Sequence, residues 1–97
     1  MELATVLSMI EKQAKLNPPI GGSLKFELDL GIIHLDGTGT ENVISTENKD
    51  ADCTISTTIA TLRKLQEGEL NPMMAVMTGK VKIKGDMSLA MKLQSLL

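Results

Sequence analysis

The stretch Leu24-Lys25-Phe26-Glu27-Leu28-Asp29-Leu30 alternates apolar and charged residues without a break. Successive side chains of an extended chain point to opposite faces, so this pattern makes a strand with one dry face and one wet face. A half-buried strand of this kind belongs to a sheet covered on one side only. Gly21-Gly22 opens it and separates it from what precedes.

Working downstream, residues 32–36 read as a second short strand. Gly37-Thr38-Gly39 is a turn, and residues 40–46 make a third strand. Residues 47–50 are a polar loop. Ala51-Asp52-Cys53-Thr54-Ile55-Ser56 alternates again, with Cys53 on its apolar face beside Ala51 and Ile55. The fifth strand is Lys80-Val81-Lys82-Ile83-Lys84, whose lysines share one face and discourage edge pairing.

Upstream, Leu3, Val6, Leu7, Ile10, Ala14 and Leu16 fall at spacings of three and four, one apolar stripe of a helix that Asn17-Pro18-Pro19 stops. Thr57 or Thr58 caps a helix over Ile59, Leu62 and Leu65 that ends at Gly68. Asn71-Pro72 starts a short helix over residues 73–78, closed by Gly79. Asp86 caps the last helix, which holds Met87, Ala90, Met91 and Leu93. The order of elements predicts an α+β fold, one domain over residues 1–97, with a five-stranded, mostly antiparallel or mixed sheet and helices on one face.

Composition narrows the function. The chain has 97 residues and a net charge of −2 without a block of one sign, which argues against nucleic acid as the main partner. It lacks an apolar run of the ~20 residues a membrane span needs. The basic flank and apolar core of a signal peptide are missing too, so a cytoplasmic location is expected. A single cysteine fits a reducing compartment. Phe26 is the one aromatic residue, while methionine occurs seven times. Leu, Ile and Met must therefore fill the space that aromatics usually occupy. Methionine is unbranched and adaptable, suited to an irregular core or to a wall that repacks.

No catalytic set can be assembled. His34 is the only histidine and faces away from Ile33 and Leu35, which suits a structural or exposed role. Cys53 lies on an apolar face, where it behaves as a small hydrophobe, and nothing brings His34 to it as a base. Gly79-Lys80 lacks the rest of a phosphate loop. No cofactor or metal is called for. Lys80, Lys82 and Lys84 read as a solvated strand face, with transient docking on an anionic membrane as the alternative. What remains is hydrophobic. Met73, Met74 and Met77 lie on one short helix, Met87 and Met91 one turn apart on another. Periodicity allows either a packed core or a deformable apolar cavity.

Gly68-Glu69-Leu70-Asn71-Pro72, then Met77-Thr78-Gly79-Lys80-Val81-Lys82-Ile83-Lys84-Gly85-Asp86, then Leu89-Ala90-Met91-Lys92-Leu93 closely resembles the sterol carrier protein type 2 domain. Ala51-Asp52-Cys53-Thr54-Ile55 and Phe26-Glu27-Leu28 look like strands of the same family. The resemblance implies a five-stranded sheet covered by helices and enclosing a hydrophobic tunnel for a fatty acid, fatty acyl-CoA, sterol or phospholipid. It also implies non-catalytic lipid binding and intracellular lipid transport rather than an enzyme. The sequence departs from the family in its second strand, where many members carry a tryptophan and this chain has Ile32-Ile33-His34-Leu35. It also ends in Ser95-Leu96-Leu97, which does not match a peroxisomal Ser-Lys-Leu signal.

On this reading the tunnel lining is Phe26, Leu28, Ile33, Met73, Met77, Ile83, Met87, Ala90 and Met91. Gln94 either hydrogen-bonds a polar lipid head or simply faces solvent. The competing expectation is a structural or regulatory interaction module that docks through Leu93, Leu96 and Leu97 of the apolar C-terminal helix.

Overall fold

The computed structural model describes residues 3–92. Along the chain the elements are α1 (Leu3–Leu16), β1 (Ser23–Leu28), β2 (Gly31–Asp36), β3 (Val43–Ser45), β4 (Cys53–Ser56), α2 (Ile59–Gln66), α3 (Pro72–Met77), β5 (Lys82–Gly85) and α4 (Met87–Met91). The strands form one sheet in the order β3-β2-β1-β4-β5. Three neighbouring pairs are antiparallel, and β1 pairs with β4 in parallel. The sheet is therefore mixed.

The parallel pair follows from who is already beside β1. The β1–β2–β3 meander fills one flank, so β4 must take the other. The segment between β3 and β4 makes that passage across the wet face. Its Asp50 carbonyl lies 3.1 Å from His34 Nε2, and Lys25 Nζ donates to Asn48 Oδ1 at 3.1 Å. His34 is consequently buried under this crossing rather than exposed.

Register sorts the residues into two faces. Leu35, Leu24 and Cys53 make one cross-strand row on the inner face, and Ile33, Phe26, Ile55 and Ile83 make the next. On the outer face the corresponding rows are Ser45, His34, Lys25, Thr54 and Lys84, then Ile32, Glu27, Ser56 and Lys82. The inner rows are almost entirely buried, and Val6, Ile10 and Ala14 of α1, Ile59 and Leu62 of α2, Ala75 of α3 and Leu89 and Ala90 of α4 belong to the same core. One apolar face thus meets the apolar stripes of four helices, the arrangement the alternation in β1 demands.

All five strands differ from their predicted limits by one residue or more, and in β3, β4 and β5 polar groups engaged elsewhere account for it. β3 has three residues rather than seven, because the Asn42 side chain bridges loops: it accepts from Ile20 N and donates to the Ala14 and Pro18 carbonyls, each at 3.1 Å. β4 starts at Cys53, since Asp52 N donates to Ser23 Oγ and its carbonyl accepts from Asp86 N. β5 starts at Lys82, since Lys80 N and Val81 N both donate to the Ala75 carbonyl and close α3.

Candidate functional site

The inner face of the sheet and the two helices flanking β5 carry the chain's chemistry. α3 begins at Asn71, whose Oδ1 accepts from Met73 N at 2.8 Å, with Pro72 in the first turn. α4 begins at Asp86, whose Oδ1 accepts from Ser88 N at 2.9 Å and Ser88 Oγ at 2.6 Å. These bonds hold the Asp86 carboxyl below its ordinary pKa. Both helices are short. α3 buries Ala75, and α4 buries Leu89 and Ala90.

α4 is seated by close approach. A Cβ on Gly22 would come within 2.7 Å of Leu89 Cδ1, so a glycine at the head of β1 lets the helix lie on the strand. Asp86 N donates to the Asp52 carbonyl at 2.9 Å, and Lys92 Nζ donates to the Ile20 carbonyl at 2.6 Å. Gly85, at φ +107°, makes the turn from β5 into the helix.

The expected lining residues fall into two groups. Phe26, Ile33 and Ala90 are buried in the core, and Leu28 and Ile83 are partly buried against it. The methionines are not brought to them. Met73, Met77, Met87 and Met91 are 72, 77, 55 and 76% exposed. The reason is local: in α3 the small Ala75 is the residue turned inward, and in α4 the adjacent Leu89 and Ala90 take that place, which leaves the i, i+4 methionine pairs facing out. Gln94, Leu93, Leu96 and Leu97 lie outside the described residues.

Leu24, Leu35, Cys53, Ile55 and Val81 complete the buried layer without having been named as lining. All five stand at alternating positions in strands predicted from the sequence, so the period-two pattern contained the signal. Val81 precedes β5 and is held by the closing turn of α3.

Among the described residues His34 and Cys53 are not brought together. His34 belongs to the outer face and Cys53 to the inner, so the sheet itself stands between them. Burial pushes the Cys53 thiol above its ordinary pKa, and the Asp86 charge adds to this. Among the described residues no cluster of His, Cys, Asp and Glu could hold a metal ion, and no helix is long and apolar enough to cross a membrane. A cleft of about 480 Å³ opens between the Asp29-Leu30 turn and α2, but Arg63, Lys64, Glu67 and Glu69 line much of it. It is open and rimmed by charged side chains, unlike the inner face.

The model of the SCP-2 sterol transfer family matches residues 8–97. Sterol carrier protein 2 of Rattus norvegicus is 48% identical over 58 residues, which are 60% of this chain and 11% of that protein. This chain therefore spans about a tenth of the length of that relative. Among solved structures, sterol carrier protein 2 like 2 from Aedes aegypti superimposes with a TM-score of 0.75 at 15% identity, covering 98% of this chain and 95% of that one. The palmitated form of SCP2L2 from the same organism gives 0.69 at 19% identity, covering 99% and 94%. Both likenesses concern the fold.

Proposed function

Because this chain belongs to the SCP-2 sterol transfer family, we propose that it binds an elongated lipid against the inner face of its sheet and carries it between membranes without transforming it. The observation that supports this most is the pairing of an apolar sheet face with two short helices that keep five methionines in water. A soluble domain normally buries such side chains where it can. Methionines held outside a short covering helix are positioned to fold over an apolar chain that parts the cover. Their flexibility would let one wall accept different ligands.

In this reading Phe26, Leu28, Ile33, Ile83 and Ala90 supply the floor. Met73, Met77, Met87 and Met91 close over the ligand. Burying about ten methylenes yields roughly 8 kcal/mol before the several kcal/mol lost to association. A net affinity near micromolar follows, strong enough to load and weak enough to release. The separation of His34 from Cys53 supports carriage over catalysis.

The test is native mass spectrometry of the purified protein, then organic extraction and lipid analysis, with displacement of a fluorescent fatty acid as the equilibrium assay. Bound lipid near one per chain, or saturable displacement, is expected. A lipid-free protein that also displaces nothing would sink the proposal and favour the interaction-module reading.

A further inference from the structure

Six of the chain's seven methionines fall among the described residues. Met9 is half-buried in α1, while Met73, Met74, Met77, Met87 and Met91 are each more than half exposed. A thioether in water is open to peroxide, which converts methionine to its sulfoxide. The chain's one thiol is shielded from the same reagent. Cys53 is fully buried on the inner face, and burial keeps it protonated, away from the thiolate form that reacts. Oxidisable sulfur is therefore concentrated on α3 and α4. Those helices are held by the caps at Asn71 and Asp86 and by the inward Ala75, Leu89 and Ala90. An oxygen added to any of the five exposed sulfurs meets water in the empty protein and disturbs none of these anchors.

We propose that Met73, Met74, Met77, Met87 and Met91 are modification sites for a hydroperoxide, and that their sulfoxides switch off lipid loading while leaving the empty fold intact. In the step, a lone pair of the thioether sulfur attacks one peroxide oxygen, the O–O bond breaks and an S–O bond forms. The hydrogen on the transferred oxygen passes to the departing one, which leaves as water when the peroxide is hydrogen peroxide. Sulfur is oxidised and the peroxide reduced. The second half of the proposal rests on the carrier reading, in which methionines of α3 and α4 close over an apolar chain. There a sulfoxide has to leave water for hydrocarbon without a hydrogen-bond partner. The change is neutral for the empty protein and unfavourable for the loaded one, and only such a difference shifts the balance between two states. A methionine sulfoxide reductase reverses it, two thiols forming a disulfide and removing the oxygen as water.

The experiment treats the full chain with hydrogen peroxide and follows sulfoxide at each methionine by peptide mass mapping, the thermal melt, and displacement of a fluorescent fatty acid. The five exposed methionines should oxidise well before Met9 and Cys53. The melting temperature should move by no more than about 3 °C. The Kd for the fatty acid should rise about thirtyfold or more, the effect of losing two apolar side chains from the contact. Methionine sulfoxide reductases for both epimers, supplied with dithiothreitol, should restore the starting Kd. In M73L/M74L/M77L/M87L/M91L, which keeps apolar side chains without their sulfur, peroxide should leave Kd where it stood before treatment. Oxidation of Met9 as fast as of the five, or an unchanged Kd in the oxidised protein, would overturn the proposal. So would a melt that collapses on oxidation, a Kd the reductases do not restore, or an equal loss in the leucine variant, since Met9 or Cys53 would then be responsible. An untreated wild type that displaces no fatty acid would remove the carrier reading and the loading switch with it, while the mass map still decides whether the five are the oxidised sites.

Discussion

Replacing Met87 and Met91 together with glutamine separates a decorative surface methionine from one that closes over a ligand. The two side chains are 55 and 76% exposed, so the fold has little to lose. Glutamine and methionine have similar helix propensities, and the change in stability should stay within about 0.5 kcal/mol. The ligand complex should respond quite differently. Full burial of a methionine contributes about 1.5–3 kcal/mol, of which the exposed part of each side chain is still available. Losing about 1 kcal/mol from each position gives about 2 kcal/mol, a roughly thirtyfold rise in Kd. Urea denaturation measures the first quantity and displacement of a fluorescent fatty acid the second. A folded variant with the wild-type Kd would refute the reasoning, because the methionines would then take no part in binding. A loss of more than about 1 kcal/mol of stability would refute it from the other side, since the side chains would be packed in the free protein.

Other consequences are direct. Gly85→Ala should destabilise the fold by about 2–4 kcal/mol in a thermal melt, because it combines a left-handed φ with a Cβ 2.3 Å from the Asp52 carbonyl oxygen that anchors Asp86 N. Asn42→Ala should destabilise by about 2 kcal/mol in urea, because it strands the Ile20 N–H and two carbonyls. Asp86 is held below the ordinary carboxylate value of 3.8, so its contribution is complete above that value and disappears as pH falls through the lower folded one. D86N keeps a capping oxygen but cannot titrate, so its acid unfolding curve should be shallower below that pH. Cys53, buried with a raised pKa, should react with a thiol reagent at the rate of opening rather than of the free thiol, so added denaturant should accelerate labelling steeply.

The sheet was legible in the sequence because period two survives burial. Leu24, Phe26 and Leu28 announced both β1 and its inner face, and Ala51, Cys53 and Ile55 did the same for β4. The helices were legible from their caps: Thr58, Asn71 and Asp86 each accept the bond their positions predict. The parallel pairing of β1 with β4 was not legible, because it depends on which flank the first hairpin occupies, and no local pattern encodes that. Nor was the outward turn of the methionines. Two methionines four residues apart define a helix face but not its direction. The deciding residues were small ones, Ala75, Ala90 and Gly22, whose size sets how near α3 and α4 can come to the sheet.

That same smallness points to where the fold would yield to a ligand. The strands hold one another by continuous ladders, and their inner rows are fully buried around Phe26, Ile33 and Ile55. Among the described residues, α3 is anchored by Ala75 and its carbonyl, and α4 by Leu89, Ala90, the Asp86 amide and the Lys92 ammonium, against whole ladders for the strands. Opening free energies are lowest where few apolar contacts are buried. An apolar chain entering against the sheet would therefore displace the short helices rather than separate the strands. Moving those helices exchanges a small buried area for contact between the methionines and the ligand. On the proposed function, the exposed methionines are contacts reserved for the loaded protein rather than a defect of the empty one.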